Sequence, residues 1–187
     1  FQLVDLPPIS RVNPVPWIVN AVQPADGCML VIDLQTPDCV DQIIDLREIL
    51  AEKRISLLQD WELGPTAAPA DDEENIDDPF AIRLPTLLIV NKSELSAAPA
   101  EEVDAFHELL GTRYPHLCVS TETGDGLSNI GSWLFDHLGI ARVYTKPTGR
   151  APDLDRPFTV RRGGTVEDAR RRQERAGESR EFKIVAQ

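Results

Sequence analysis

A chain of 187 residues, 42% of them apolar, has room for one domain of ordinary size and a small second one. It contains no apolar run of about 18 residues, which excludes a helical membrane span, and its first residues lack the order of a secretion signal. The net charge of −12 is uneven: residues 1–139 carry 7 Lys or Arg against 24 Asp or Glu (−17), and residues 140–187 carry 12 against 7 (+5), which predicts two units with different partners.

Residues 1–5 read as the end of a strand stopped by Pro7 and Pro8. Residues 16–22 read as a short helix with Trp17, Val19 and Val22 on its apolar side. Residues 28–33 form a buried strand that ends in the carboxylate of Asp33. Thr36 is placed to cap a helix opening at Pro37, and Val40, Ile43, Ile44, Leu46, Ile49 and Leu50 follow at helical spacing. Residues 54–58 read as a short strand. Residues 64–78 hold Asp71-Asp72-Glu73-Glu74 and have little to bury; they read as a disordered acidic insertion, without the glycine and terminal glutamate of a calcium loop.

Beyond the insertion, residues 84–90 read as a strand and residues 99–110 as an amphipathic helix with Val103, Phe106, Leu109 and Leu110 inward. Residues 117–120 read as another strand. Residues 127–138 read as a last helix with Ile130, Trp133, Leu134 and Leu138 inward. Alternating strands and helices predict an α/β fold with a doubly wound, mainly parallel sheet. Gly139 closes the last helix where the charge changes sign, and the domain boundary is placed there.

Cys28, Cys39 and Cys118 are odd in number and far apart, as buried free thiols in a reducing cytoplasm would be. His107, His116 and His137 are also scattered, and none stands at metal-ligand spacing from a cysteine.

The strongest local signal is Leu87-Leu88-Ile89-Val90-Asn91-Lys92-Ser93-Glu94. An apolar run of this length suits a strand buried on both faces of a parallel sheet. Ligands of such sheets bind beyond the carboxyl ends of the strands, where Asn91, Lys92 and Glu94 project.

This stretch resembles the guanine-specificity motif Asn-Lys-x-Asp of P-loop GTPases, with Glu94 in the aspartate position. The resemblance implies that Glu94 accepts from guanine N1–H and the 2-amino group, that Asn91 braces neighbouring loops, and that the Lys92 stem lies over the base and phosphate loop. One added methylene moves the carboxylate by about 1.5 Å. Ser120-Thr121-Glu122-Thr123-Gly124-Asp125-Gly126-Leu127 resembles the second base loop of the same family, Ser-Ala-Lys-x-Gly-x-Gly-Leu. There, main-chain N–H groups, chiefly at the second residue, face the guanine carbonyl; Ser120, Thr121 and Glu122 are the matching positions.

Upstream, Asp5-Leu6-Pro7-Pro8-Ile9 resembles the switch motif Asp-x-x-Gly. The resemblance implies that Asp5 holds a magnesium ion through water. Pro8 stands where the family has the glycine whose N–H senses the γ-phosphate, and proline has no N–H. Ile9 stands where many small GTPases carry a water-positioning glutamine; a hydrophobic residue there is typical of the Obg-type group, which hydrolyses slowly or with help. The phosphate loop Gly-x-x-x-x-Gly-Lys-Ser/Thr is absent from the sequence, so the chain alone is not expected to hydrolyse GTP.

Residues 142–149, Arg-Val-Tyr-Thr-Lys-Pro-Thr-Gly, with Gly164-Thr165-Val166-Glu167-Asp168, resemble the start of a TGS domain, a small β-grasp module of Obg-related GTPases. Residues 165–168 would open its helix and residues 182–185 a further strand. Arg170, Arg171 and Arg172 lie on that helix either as a solvated face or as RNA contacts, since clustered arginine neutralises phosphate.

The order of these motifs is similar to that of the Obg-like and developmentally regulated GTP-binding branch. It implies the C-terminal part of a G domain (residues 1–139), then a partial TGS domain (residues 140–187). Opening on Phe1 and closing in strand-like sequence, the chain is expected to be part of a longer cytoplasmic protein. That protein would bind GTP or GDP with Mg²⁺, hydrolyse GTP slowly, and act with a ribosome or structured RNA, with no membrane or DNA partner. The alternative is a catalytically degraded adaptor that binds RNA through its TGS domain without hydrolysing GTP.

Overall fold

In the computed structural model the described residues are 2–61, 78, 80–147, 154–155, 157–165, 167, 171 and 182–186. They run through α1 (Ile18–Val22), β1 (Cys28–Asp33), α2 (Cys39–Ala51), β2 (Ile55–Leu58) and β3 (Ile82–Asn91). A 3-10 turn (Ser93–Leu95), α3 (Pro99–Leu110), β4 (His116–Cys118) and α4 (Leu127–His137) follow, then β5 (Ile140–Pro147), β6 (Phe158–Arg161) and β7 (Phe182–Ala186). The chain divides into two compact units, Phe1–Trp133 and Leu134–Gln187.

The first unit is built on β3, in which every residue from Leu84 to Val90 is buried. Leu87 and Leu88 are fully enclosed, each burial contributing about 1.5–3 kcal/mol. β1 pairs in parallel with Thr86 to Asn91 of β3, β4 in parallel with Leu88 to Val90, and β2 in parallel with Ile82 to Pro85. Because β1 and β4 share partners on β3, they occupy its opposite edges. The parallel α/β sheet expected from the alternation is present.

One core cluster joins Ile32 and Leu88 of the sheet to Cys39 and Ile43 of α2 and to Val103, Phe106 and Leu110 of α3. A second cluster gathers Val15, Ile18, Val22, Leu50, Ile55 and Leu84, with Leu6 and Ile9 packed against it. α3 begins on Pro99 and stops at Gly111, whose φ of +66° ends the helix in the left-handed conformation that glycine adopts without penalty.

Several local expectations need correction. Residues 2–5 form no strand; Leu3, Val4 and Asp5 are exposed. On α1 the buried positions are Ile18 and Val22, while Trp17 is half exposed at the N-cap. α2 starts at Cys39 behind Asp38, and no side-chain cap bond is made there; Thr36 instead accepts the Cys39 N–H through its carbonyl. Ile44 is partly exposed. On α3, His107 is buried and Leu109 is 73% exposed, the reverse of the hydrophobicity order. β4 ends at Cys118, short of Ser120. The acidic run at residues 71–74 lies outside the described residues. Cys28, Cys39 and Cys118 are free thiols, and burial pushes Cys28 up to about 11.

In the second unit β5 is central, with β6 and β7 antiparallel on either side. Among the described side chains of β5, Val143 is buried. Among the described residues between β6 and β7, Glu167 and Arg171 are helical.

Candidate functional site

The register of β1 on β3 sets Asp33 opposite Asn91, so both strands deliver polar side chains to the same edge. β3 then breaks sharply. Lys92 takes a left-handed conformation (φ 59°, ψ 34°), which costs a non-glycine residue about 1–2 kcal/mol. That reversal starts the 3-10 turn and lets the Ser93 N–H reach the Val119 carbonyl at 3.1 Å.

Lys92 Nζ lies 2.6 Å from Asp33 Oδ2, and Asp33 Oδ1 accepts the Gln35 N–H at 2.9 Å. The Lys92 bond first, and the Gln35 N–H second, hold the Asp33 carboxyl below its usual range; the same carboxylate raises Lys92. Both side chains reach solvent, so the pair orients the ammonium more than it stabilises the fold. Asp33 was read from the sequence only as a strand-ending carboxylate. The signal is that two apolar runs each end in a polar group, but the pairing itself needs the register; β1 is also not the buried strand expected, since Ile32 is its one buried residue and Val31 is 62% exposed.

Asn91 ties the two loops together. Its Oδ1 accepts the Thr121 N–H at 3.2 Å, beside the main-chain bond from Val119 N–H to the Val90 carbonyl at 2.8 Å. The second loop is closed by Ser120, which is fully buried. Its N–H donates to the Asp125 carbonyl, its Oγ accepts the Thr123 N–H, and its carbonyl accepts the Gly124 N–H, all within 2.9–3.0 Å. Thr123 Oγ1 donates to Asp125 Oδ2 at 2.9 Å. Gly126 has φ +74°, and a Cβ there would sit 2.3 Å from the Cys118 carbonyl oxygen; this turn therefore requires glycine.

Donor accounting changes the sequence expectation for this loop. The Thr121 N–H already serves Asn91. The N–H groups of Ser120, Thr123, Gly124 and Asp125 are also used. The N–H groups of Glu122 and Gly126 make no hydrogen bond among the described residues, and Glu122 stands in the segment that the resemblance assigns to the base. Glu94 sits in the 3-10 turn, exposed, and its carboxylate makes no hydrogen bond among the described residues. An acceptor pair and a donor thus stand free on two loops joined by one asparagine.

The switch residues are not joined to this group. Ile9 packs with the cluster whose β3 member is Leu84, at the opposite end of β3 from Asn91. Asp5 is exposed, and the Pro8 carbonyl accepts from Asn13 Nδ2 at 2.9 Å. Asp5 offers one carboxylate, and no three His, Cys, Asp or Glu cluster among the described residues. Asp5 by itself does not make a magnesium site, and further ligands would have to come from outside the described residues. Arg170 and Arg172 lie outside the described residues; Arg171 is exposed and stands 3.6 Å from Glu167 one helical turn back. No described helix is long and apolar enough to cross a membrane.

No protein-family model matches the chain. Similar proteins are nevertheless found. A GTP-binding protein of Methanocaldococcus jannaschii is 33% identical over 88 residues, 46% of this chain and 22% of that protein. Developmentally-regulated G-protein 3 of Arabidopsis thaliana is 31% identical over 103 residues, covering 54% of this chain and 26% of the relative. Developmentally-regulated G-protein 1 of the same plant is 38% identical over 61 residues, 30% of this chain and 15% of its own length. The chain spans about a quarter or less of each of these relatives.

Proposed function

We propose that this chain, a relative of the developmentally regulated GTP-binding proteins, carries the base-recognition side of a guanine-nucleotide site. The observation that carries the reading is the Asn91–Thr121 hydrogen bond, which fixes the two loops beside each other at the carboxyl edge of a parallel sheet. Guanine offers two adjacent donors, N1–H and the 2-amino group, to the Glu94 carboxylate. Its carbonyl oxygen takes the free Glu122 N–H. Adenine has no such donor pair and would leave the carboxylate unpaired, which is how a site built on hydrogen bonds rejects an analogue. Asp33 keeps the Lys92 ammonium at the same edge, where it adds positive charge beside the site.

The wider reading follows the family. In the full-length protein an upstream phosphate loop would hold the phosphates with Mg²⁺, Asp5 would reach the ion through water, and hydrolysis would be slow. Pro8 supplies no N–H to a γ-phosphate, so that contact comes from elsewhere or is absent. Residues 140–187 form part of a TGS module, with Gly139 as its boundary, and the partner is a ribosome or structured RNA in the cytoplasm. The three-stranded sheet of the second unit and the +5 balance of residues 140–187 support this.

Titration of the full-length protein with fluorescent GDP, GTP and ATP analogues tests the proposal. Guanine nucleotides should bind at least tenfold more tightly than ATP. Equal binding of all three would mean that Glu94 does not read guanine.

A further inference from the structure

Among the described residues the second unit holds a basic feature other than the arginine cluster at 170–172. Strand periodicity places Ile140, Arg142 and Tyr144 on one face of β5, while Val143 points the other way into the core. Where β6 ends, the Arg162 N–H donates to the Gly139 carbonyl, and Arg162 Nε donates to the Ile140 carbonyl at 3.2 Å. The Arg142 guanidinium lies over the Phe135 ring, 4.4 Å from its centre. Phe135, Ile140, Arg142, Tyr144 and Arg162 line one cavity of about 200 Å³.

Three physical facts make this a built site rather than a charged surface. Each guanidinium is held by a contact that leaves donors free: Arg142 by the ring face, Arg162 by a single Nε–H bond. Neither pairs with a carboxylate among the described residues, although the chain as a whole is strongly acidic. An aromatic side chain, Tyr144, stands at the same cavity. Two guanidiniums with no carboxylate partner among the described residues, beside a ring, match the repeating unit of a single-stranded polynucleotide, a phosphate next to a flat base. An acidic peptide would use the charges and leave the ring without a partner.

We propose that Arg142, Arg162 and Tyr144 form a binding site for one nucleotide unit of single-stranded RNA, the arginines on phosphate and Tyr144 stacked on the base. The proposal rests on the RNA reading above and assigns the contact to residues other than Arg170, Arg171 and Arg172.

The test is fluorescence anisotropy of the full chain with a labelled 12-nucleotide RNA at several salt concentrations. Arg142→Gln and Arg162→Gln should each weaken binding several-fold and reduce the slope of log affinity against log salt by about 0.7. Tyr144→Ala should weaken binding roughly tenfold with an unchanged slope, and Tyr144→Phe should bind like the parent. Circular dichroism confirms that each variant is folded, and Arg142→Lys, which keeps the charge, should retain most of the salt slope. The site is overturned if the parent binds RNA and these variants match it while the Arg170, Arg171 and Arg172 triple alanine variant does not. Binding of a phosphopeptide or of DNA as tight as that of RNA overturns the RNA assignment. Absence of binding by the parent removes both the site and the reading beneath it.

Discussion

Gly126→Ala isolates the geometry on which the base loops depend. The new Cβ would stand 2.3 Å from the Cys118 carbonyl oxygen and 3.2 Å from Val119 Cα, both main-chain atoms that cannot rotate away. Bringing the first contact to about 3 Å demands a shift of roughly 0.7 Å between the end of β4 and the start of α4. The φ of +74° adds about 1–2 kcal/mol for any L side chain, and overpacking of this kind costs about 1–3 kcal/mol more. The expected loss is therefore about 2–5 kcal/mol. Gly124→Ala is the internal control, since its φ is +85° but nothing lies within 4 Å of the added Cβ. It should lose only the conformational part, about 1–2 kcal/mol. Urea unfolding followed by the fluorescence of Trp61 and Trp133, whose rings meet edge to face at 4.9 Å in the first unit, measures both. The same shift should loosen the Asn91–Thr121 bond and speed hydrogen exchange at the Thr121 amide. If Gly126→Ala costs no more than Gly124→Ala, the steric argument for this turn is wrong.

Other perturbations report on separate parts of the account. Asn91→Ala removes the bond between the loops and should cost about 1 kcal/mol of stability, with a larger effect on guanine binding than on the unfolding midpoint. Leu88→Ala empties a fully enclosed position on β3 and should cost about 3–5 kcal/mol in the same urea assay. His107 is buried, and neither ring nitrogen is hydrogen-bonded among the described residues; burial, then His116 and Arg113, lower its pKa, with Asp104 opposing. Its folded pKa lies below the unfolded value, so its contribution is intact above about 6.5 and is lost as pH falls below that toward the folded value; a His107→Leu variant should unfold with a flatter acid limb. Glu94→Asp shortens the carboxylate by one methylene and should change guanine affinity without changing stability, as read by nucleotide titration beside urea unfolding.

The sequence was most legible where one period dominated. The apolar run of β3 and the spacing of α3 were readable because burial on both faces, or on one stripe, leaves a plain pattern. α3 matches its predicted bounds of residues 99–110. Its face was misjudged because Leu109 is more hydrophobic than His107, yet Val103, Phe106, His107 and Leu110 are the positions spaced by three and four residues. Trp17 misled in the same way beside Ile18. Residues 2–5 looked like a strand by composition, but pairing is a tertiary fact and no partner meets them among the described residues. Of the site, the residue types at the ends of β3 and β4 were readable. The Lys92–Asp33 pair and the use of the Thr121 N–H by Asn91 were not, because both depend on which strand ends lie side by side.

Nucleosides test whether Glu94 and the loop at residues 120–122 read guanine, without any phosphate contact. Amide chemical shifts of the isotopically labelled chain should move saturably at Glu94, Thr121 and Glu122 on addition of guanosine, remain fixed with adenosine, and no longer respond to guanosine in Glu94→Ala. Equal shifts with both nucleosides, or an undiminished guanosine response in Glu94→Ala, would contradict the account.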